Sequence, residues 1–338
     1  MNEVTKINLM QSERVPKVSV CVVTYNQEKF IRQCVQSIVE QITDFDFEVI
    51  IGDDCSTDGT RKIVQEFADS YAEIVRVIDQ ETNTGGMGNY LAVHRAARGV
   101  YVCHVDGDDW IAPGKLVKQV RFLDLHREIP LVAHRMAIWN DGRPVGVTRR
   151  NPKLITLSEL LRHHPMFLHS SIMYRKHELS RLFELKSIFI DFYVYITATL
   201  QGNIGFINEV LGNYRANIGV SNTRKLMPYI QAAIDLAAHN VGETPDISRC
   251  RSRQYLSYAI AALLVDDWNQ FCAYLTFAKQ FDTKRFLIYI LYQLRNWPGL
   301  LKTIIVLYKK MKLWIKQHFE NNPFLSRRHD KSYLMQGK

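Results

Sequence analysis

Three carboxylates fall within four residues at Asp106-Gly107-Asp108-Asp109, directly after the apolar run Val100-Tyr101-Val102-Cys103-His104-Val105. Like charges this close repel, so the cluster needs something to offset the repulsion. A divalent cation does so, because hard oxygen ligands suit Mg²⁺ or Mn²⁺. Taken alone, the same residues also describe a solvated acidic turn. A second acidic pair, Asp53-Asp54, ends another apolar run, Phe47-Glu48-Val49-Ile50-Ile51-Gly52. A third acid, Asp191, opens the apolar stretch that reaches Leu200. A carboxylate in so apolar a setting is costly unless it is used or paired, although it also serves as a plain helix N-cap.

The elements around these acids decide between the readings. Val18–Val23, Phe47–Gly52, Ile74–Ile78 and Val100–Val105 are short β-branched runs, expected as buried strands. Between them apolar residues recur at helical spacing. The first helix is expected over 28–41, the second carries Ile63, Val64 and Phe67, and the third opens at the glycine-rich loop Asn83-Thr84-Gly85-Gly86-Met87-Gly88-Asn89. The order β-α-β-α-β-α-β predicts a mostly parallel α/β sheet flanked by helices. Ligands of such sheets bind beyond the carboxyl ends of the strands. Tyr25, Asp53, Asp54, Asn83 and Asp106 to Asp109 all follow strand ends, so they are expected to converge.

Beyond Pro113 the signal changes. A helix carries Leu116, Val120 and Leu123. Short strands are expected at 131–133, 135–139 and 170–174, with a hairpin turn at Asp141-Gly142. Further strands follow at 204–207 and 211–215. From residue 225 to about 320 only helices are expected, broken near Pro245 and at Pro298-Gly299. This gives a leader over 1–15, an α/β domain over 16–222 (halves 16–113 and 114–222) and a helical C-terminal region over 223–338.

Composition is that of a globular protein: 338 residues, 47% hydrophobic and 23% charged. Six cysteines show no CxxC spacing, as expected of reduced thiols. The N-terminus lacks an apolar signal core, and no run is long enough to span a bilayer. The net charge of +9 sits at one end: residues 279–338 hold 13 Lys/Arg against 3 Asp/Glu, and the rest is near neutral. Over 298–318, Leu300, Ile304, Leu307, Tyr308, Met311, Trp314 and Ile315 fall on one helical face, with Lys302, Lys309, Lys310, Lys312 and Lys316 opposite. That pattern suits a helix lying in an anionic membrane surface, or one packed on its own protein. No nucleic-acid module presents the basic tail, so nucleic acid is not an expected partner.

Four stretches together resemble the inverting, GT-A-fold glycosyltransferases of family 2: Pro16 to Val20 with Tyr25-Asn26; Asp53-Asp54-Cys55-Ser56-Thr57-Asp58-Gly59-Thr60; Asn83-Thr84-Gly85 with Asn89; and Asp106-Gly107-Asp108-Asp109 with Pro113. The resemblance implies a GT-A domain followed by an α-helical region. It implies a nucleotide-sugar site at Tyr25, Asn26, Asp53, Asp54, Asn83, Gly85, Asp106, Gly107, Asp108 and Arg215. Tyr25 would stack on the base and Asp54 would bond uracil or ribose. It implies Mn²⁺ or Mg²⁺ at Asp108 and Asp109, and a catalytic base at Asp191. Tyr214-Arg215-Ala216-Asn217 departs from a family pattern that carries His where Asn217 stands, and Asn is the weaker metal ligand. Arg215 clamps phosphate in this reading or forms a surface ion pair. His169 stands on the acceptor side. The resemblance further implies a UDP-sugar donor and a polyprenyl-diphosphate-linked glycan acceptor. The setting would be O-antigen or capsule synthesis on the inner face of the cell membrane. A non-catalytic binder of sugar nucleotides or lipid headgroups that retains the fold is the alternative.

Overall fold

The structure, a computed structural model, describes residues 15–179, 191–216, 227–263 and 265–282, and beyond them 291, 292, 297, 299–304, 306, 307 and 310. The expected leader (apart from Val15), Ile190, Asn217 and most of the basic tail lie outside the described residues. The chain divides into two compact units, residues 1–247 and 248–338.

In the first unit the strands β1 (Val18–Thr24), β2 (Phe47–Asp53), β3 (Val75–Asp79) and β4 (Tyr101–Asp106) form the parallel half of one sheet, in the order β3-β2-β1-β4. Between them run α1 (Ile31–Val39), α2 (Thr60–Ser70) and α3 (Gly85–Ala96). The period-two rule for strands sorts the side chains into layers. Val18, Val20, Val22, Val49, Ile51, Tyr101, Cys103 and Val105 join one core with Ile31, Cys34, Val35, Ile38, Val64 and Phe67. The opposite face receives α3, whose Asn89 lies so close over Gly52 that a Cβ there would stand 2.1 Å from its amide oxygen. Both faces are covered, which is why these strands read as unbroken apolar runs.

The sheet continues as a mixed half. After β5 (Trp110–Ile111) and α4 (Lys115–Leu125) come β6 (Leu131–Asn140), β7 (Arg143–Val147), β8 (Leu154–Ile155), α5 (Leu157–His163), a 3₁₀ turn (His169–Ser171), β9 (Met173–Arg175) and α6 (Lys176–Leu179). Then follow α7 (Asp191–Gln201), β10 (Ile204–Arg215) and α8 (Met227–Val241). Strand β9 is antiparallel to β4 and β6, whereas β10 is parallel to β6 and antiparallel to β5 and β8. The hairpin at Asp141-Gly142 forms with both residues at positive φ, 48° and 73°, the primed-turn geometry that suits twisted strands.

Four local expectations are corrected. Helix α1 starts at Ile31, not 28, because the backbone N–H groups of Gln27 and Glu28 donate to Thr60 and Asp58 on the neighbouring loop. The pieces at 131–133 and 135–139 are one strand. So are 204–207 and 211–215, which are joined through register shifts around Val210. Residues 170–172 do not extend a strand: the Ser171 hydroxyl and N–H both donate to the Leu168 carbonyl, closing a turn instead.

Around and beyond the unit boundary the described residues are helical, with α9 (Pro245–Leu263) and α10 (Trp268–Phe281). The break between them, capped by Asp267 on the Gln270 N–H at 3.1 Å, carries neither Pro nor Gly and was not expected. In the second unit Leu256, Ala259, Leu263, Phe271, Leu275, Leu291 and Leu301 share a core. No helix among the described residues is long and apolar enough to cross a membrane.

Candidate active site

The carboxyl ends of β1, β2 and β3 are stitched into a crevice by short polar residues. Asn26, at φ 51°, accepts the Thr57 N–H at 2.8 Å, while its own N–H donates to Ser56 Oγ. Asp54 is buried and accepts both the N–H and the hydroxyl of Thr84 (2.7 and 2.8 Å). Its carbonyl accepts the Asn83 side-chain amide at 3.0 Å, and Asn83 Oδ1 in turn accepts the Gly85 N–H. Gly85 itself has φ 76°, a conformation that only glycine adopts cheaply. Tyr25 stands at the rim, about half exposed, as a base-stacking residue must be. Asp53, like Asp54, is buried. It accepts the Ser56 hydroxyl, which ties the following loop to the end of β2. Asn26 likewise acts on the neighbouring loop.

The acid loop follows β4. Gly107 is closely packed there: a Cβ would lie 2.5 Å from Gln27 Oε1 and 2.9 Å from the Thr24 side chain. Asp106 Oδ2 accepts the Ser170 hydroxyl at 3.0 Å, and the same hydroxyl oxygen accepts the Asp106 N–H. Asp106 Oδ1 meets His104 Nε2 at 3.2 Å. Burial opposes its ionisation, yet the bonds from His104 and Ser170 hold the carboxyl down at about 2. A buried chain then follows from Asp106 inwards. His104 Nε2 donates to it, so His104 Nδ1 must accept from His94 Nε2 at 3.0 Å. His94 Nδ1 in turn accepts the Tyr174 hydroxyl at 2.6 Å. Burial and the neighbouring histidines keep His94 well below the usual imidazole range, so that ring is neutral.

Asp108 and Asp109 fare differently. Burial first, and then the charge of Asp106, push Asp108 up to about 6. The same causes, with Asp108 added, push Asp109 well above the carboxylate range. Asp109 Oδ1 accepts the Arg215 N–H at 3.0 Å, while its Oδ2 is buried with no partner. Two acids held towards neutrality and one orphaned oxygen are what a missing positive charge leaves behind. A divalent cation fits that deficit. Among the described residues no three His, Cys, Asp or Glu side chains converge on one point. The chain would therefore supply one or two carboxylates, as Mg²⁺ sites completed by water and substrate phosphates do. Asp108 and Asp109 would hold it, with Asp108 the better placed because Asp109 is tied to β10.

Arg215 is not an open phosphate clamp. Its guanidinium lies 4.3 Å over the Trp110 ring and 4.8 Å over Phe30, and donates to the Asp108 carbonyl and to Gln33 Oε1. It braces the acid loop against α1 and β10. Asp191 opens α7 and is solvent-exposed, while Phe192, Val194, Tyr195 and Ile196 behind it are buried, so the expected apolar setting does not hold. Even so, Asp191 and Asp106 both act electrostatically on His169, whose ring is pushed down to about 4 by burial and by His104. The base candidate and the acid loop thus both act on one half-buried imidazole, itself bonded to Tyr195 at 2.9 Å. Asn217 lies outside the described residues.

Sequence reasoning missed Ser170, His104, Lys115, Gln27 and Trp110. Lys115 is fully buried, donating to the Ser170 carbonyl at 2.9 Å and to Cys103 Sγ at 3.1 Å, and so fixes the turn that holds Asp106. A lysine between Gly114 and Leu116 at the start of an ordinary amphipathic helix gives no signal of this.

A parallel α/β half-sheet thus presents acids at its carboxyl edge, and the mixed half that continues it carries Asp191 at the start of α7. Residues 19–183 match the family model described as Glycosyl transferase family 2. Over that stretch, which is just under half of its length, the chain is similar to that family. An uncharacterized protein of Mycobacterium tuberculosis is 34% identical over 205 residues, 59% of this chain and 58% of that protein. The putative glycosyltransferase EpsE of Bacillus subtilis is 34% identical over 162 residues, 47% of this chain and 56% of its own. The chain thus spans a little over half the length of these curated relatives. Among solved structures, S. aureus TarS 1-349 in complex with UDP-GlcNAc superposes with a TM-score of 0.64 at 21% identity, covering 85% of this chain and 88% of that one. At that identity the likeness establishes the fold, GT-A, with a helical C-terminal region.

Proposed function

We propose that the protein is an inverting glycosyltransferase. It moves a hexose or N-acetylhexosamine from a UDP-sugar to a lipid-linked oligosaccharide acceptor in surface-polysaccharide synthesis, such as O-antigen or capsule. The observation that carries this reading is the shared edge: the Asp54–Asn83 crevice, the acid loop and Asp191 stand at one end of one sheet. Relatives point the same way. S. aureus TarS, 35% identical over 145 residues, is named a poly(ribitol-phosphate) beta-N-acetylglucosaminyltransferase, and B. subtilis TuaG a putative teichuronic acid biosynthesis glycosyltransferase. A structural neighbour from Pyrobaculum calidifontis is described with GDP-Man and Mn²⁺.

In this reading Tyr25, Asp54 and Asn83 receive the nucleoside. Asp191 takes the proton of the acceptor hydroxyl as its oxygen attacks the anomeric carbon, and the bond from that carbon to the diphosphate oxygen breaks with inversion. Bound Mn²⁺ or Mg²⁺ would neutralise the charge growing on the diphosphate. The test is a donor panel of UDP-, GDP- and dTDP-sugars with Mn²⁺, scored for nucleotide release with acceptor present. Release from UDP-sugars that Asp108→Asn and Asp191→Asn both abolish is expected. Release unaffected by either change, or none from any donor, leaves the non-catalytic binding reading.

The second unit we place against an anionic membrane surface through 298–318. Leu301 is buried in its core, while Trp297, Leu300, Ile304 and Leu307 are exposed along the same stretch, and Lys302 is drawn to Asp266 at 2.6 Å. Tyr308, Lys309 and residues 311–318 lie outside the described residues. The full chain should float with vesicles containing phosphatidylglycerol and not with phosphatidylcholine alone. Ile304→Asp with Leu307→Asp should abolish flotation.

A further inference from the structure

Beside the acid loop, against Trp110 and Arg215, lies a cavity of about 480 Å³. The start of α1, β5, the β6–β7 turn and the end of β10 enclose it. The volume is that of a site for a small ligand. Its walls are aromatic: Trp110 and Trp139, 5.2 Å apart and inclined at 55°, with Phe30 beside them. The Trp139 indole N–H already donates to Asn213 Oδ1 at 2.9 Å, so ring surface is what Trp139 has left to offer. Around the aromatics stand Lys29, Gln33 and Asp141, which are solvent-exposed.

An aliphatic chain would make no use of that polar set, and an anion or a cation would meet charges of both signs. A sugar ring matches both features, because its axial C–H face is apolar and its equatorial rim carries hydroxyls that donate and accept. Arg215 lines the same cavity while bonded to the Asp108 carbonyl, so an occupant would sit beside the acid loop. We infer that this cavity is an acceptor subsite that takes a neutral pyranose of the glycan being extended. Its assignment to the acceptor rests on the transferase reading; the sugar chemistry does not.

The test is intrinsic tryptophan fluorescence and saturation-transfer NMR on the full chain. Chitobiose and maltose are the saccharide probes, cyclohexanol is a ring lacking the hydroxyl rim, and UDP with Mn²⁺ is titrated separately. At least one disaccharide should bind saturably. Trp139→Ala should weaken it about tenfold or more, and Trp139→Phe by no more than about threefold. Gln33→Ala, on the exposed side of α1, should weaken it about threefold and keeps the test valid if Trp139→Ala does not fold. Binding of neither disaccharide, equal binding of cyclohexanol, or a disaccharide affinity that ignores these substitutions overturns the subsite. If UDP binds and the disaccharides do not, the subsite alone falls. If a disaccharide binds and UDP does not, the transferase reading falls and the sugar site stands.

Discussion

The two ends of the parallel half-sheet treat buried carboxylates in opposite ways. At the amino end Glu48 accepts the Ser19 hydroxyl at 2.6 Å, the Arg98 N–H at 2.9 Å and two guanidinium bonds from Arg98 at 2.9 and 3.0 Å. Burial opposes its ionisation, but those bonds outweigh it and hold the carboxyl below its ordinary range. At the carboxyl end Asp108 and Asp109 are buried among like charges and pushed up. The first carboxylate is completed by the fold, and the second pair is left for something the fold does not contain. Each end also has a glycine under compression. A Cβ on Gly99 would stand 2.5 Å from the Ser19 backbone nitrogen, whereas one on Gly107 would meet side chains.

The comparison breaks most sharply under substitution. Asp108→Asn should lower transfer about a thousandfold, roughly 4 kcal/mol of transition-state stabilisation. Its melting temperature in chelator should match or exceed wild type, because a repelled charge is removed; a large drop there would make Asp108 a structural residue. Gly99→Ala should cost about 3 kcal/mol in urea unfolding, since backbone cannot step aside. Gly107→Ala should cost about 1 kcal/mol and instead weaken UDP binding. Equal stability losses for the two glycines would erase the distinction.

Glu48→Gln should destabilise by about 2 kcal/mol at pH 7 and leave the KM for donor unchanged. The sign with pH follows from the lowered carboxyl. The folded value lies below the unfolded one, so the stabilisation is complete above the unfolded value and disappears as pH falls through the folded value. The gap between wild type and Glu48→Gln should therefore close in acid; a gap that widens would overturn the pairing. Ser170→Ala should have the smallest effect, about 1 kcal/mol, read as a modest rise in the UDP dissociation constant.

Much of this was legible before any coordinates. The first four strands and the helices between them came from apolar periodicity, because both sheet faces are buried and the turns carry Gly, Asn and Asp. The crevice residues Tyr25, Asp54 and Asn83 were legible because chain order alone puts them at strand ends. That Asp53 is buried and bonded to the Ser56 hydroxyl was not legible, since that contact is a matter of how the following loop folds back. The 170–172 turn was misread because serine hydroxyls compete with the ladder for backbone carbonyls. Arg215 was left between a phosphate clamp and a surface ion pair because its partners, the Asp108 carbonyl and Gln33, lie 107 and 182 residues away.

Sequence by itself determined that acids would gather at one edge of an α/β sheet, because strand order and strand ends are local properties of the chain. Only the tertiary structure decided what each acid became. Asp106 is ionised because Ser170 and the His104–His94–Tyr174 chain arrive from other elements, whereas burial and two neighbouring acids outweigh the Arg215 N–H at Asp109 and leave its Oδ2 without a partner. Protonation follows local dielectric and bonding partners, and those are set by contacts between residues far apart in the chain.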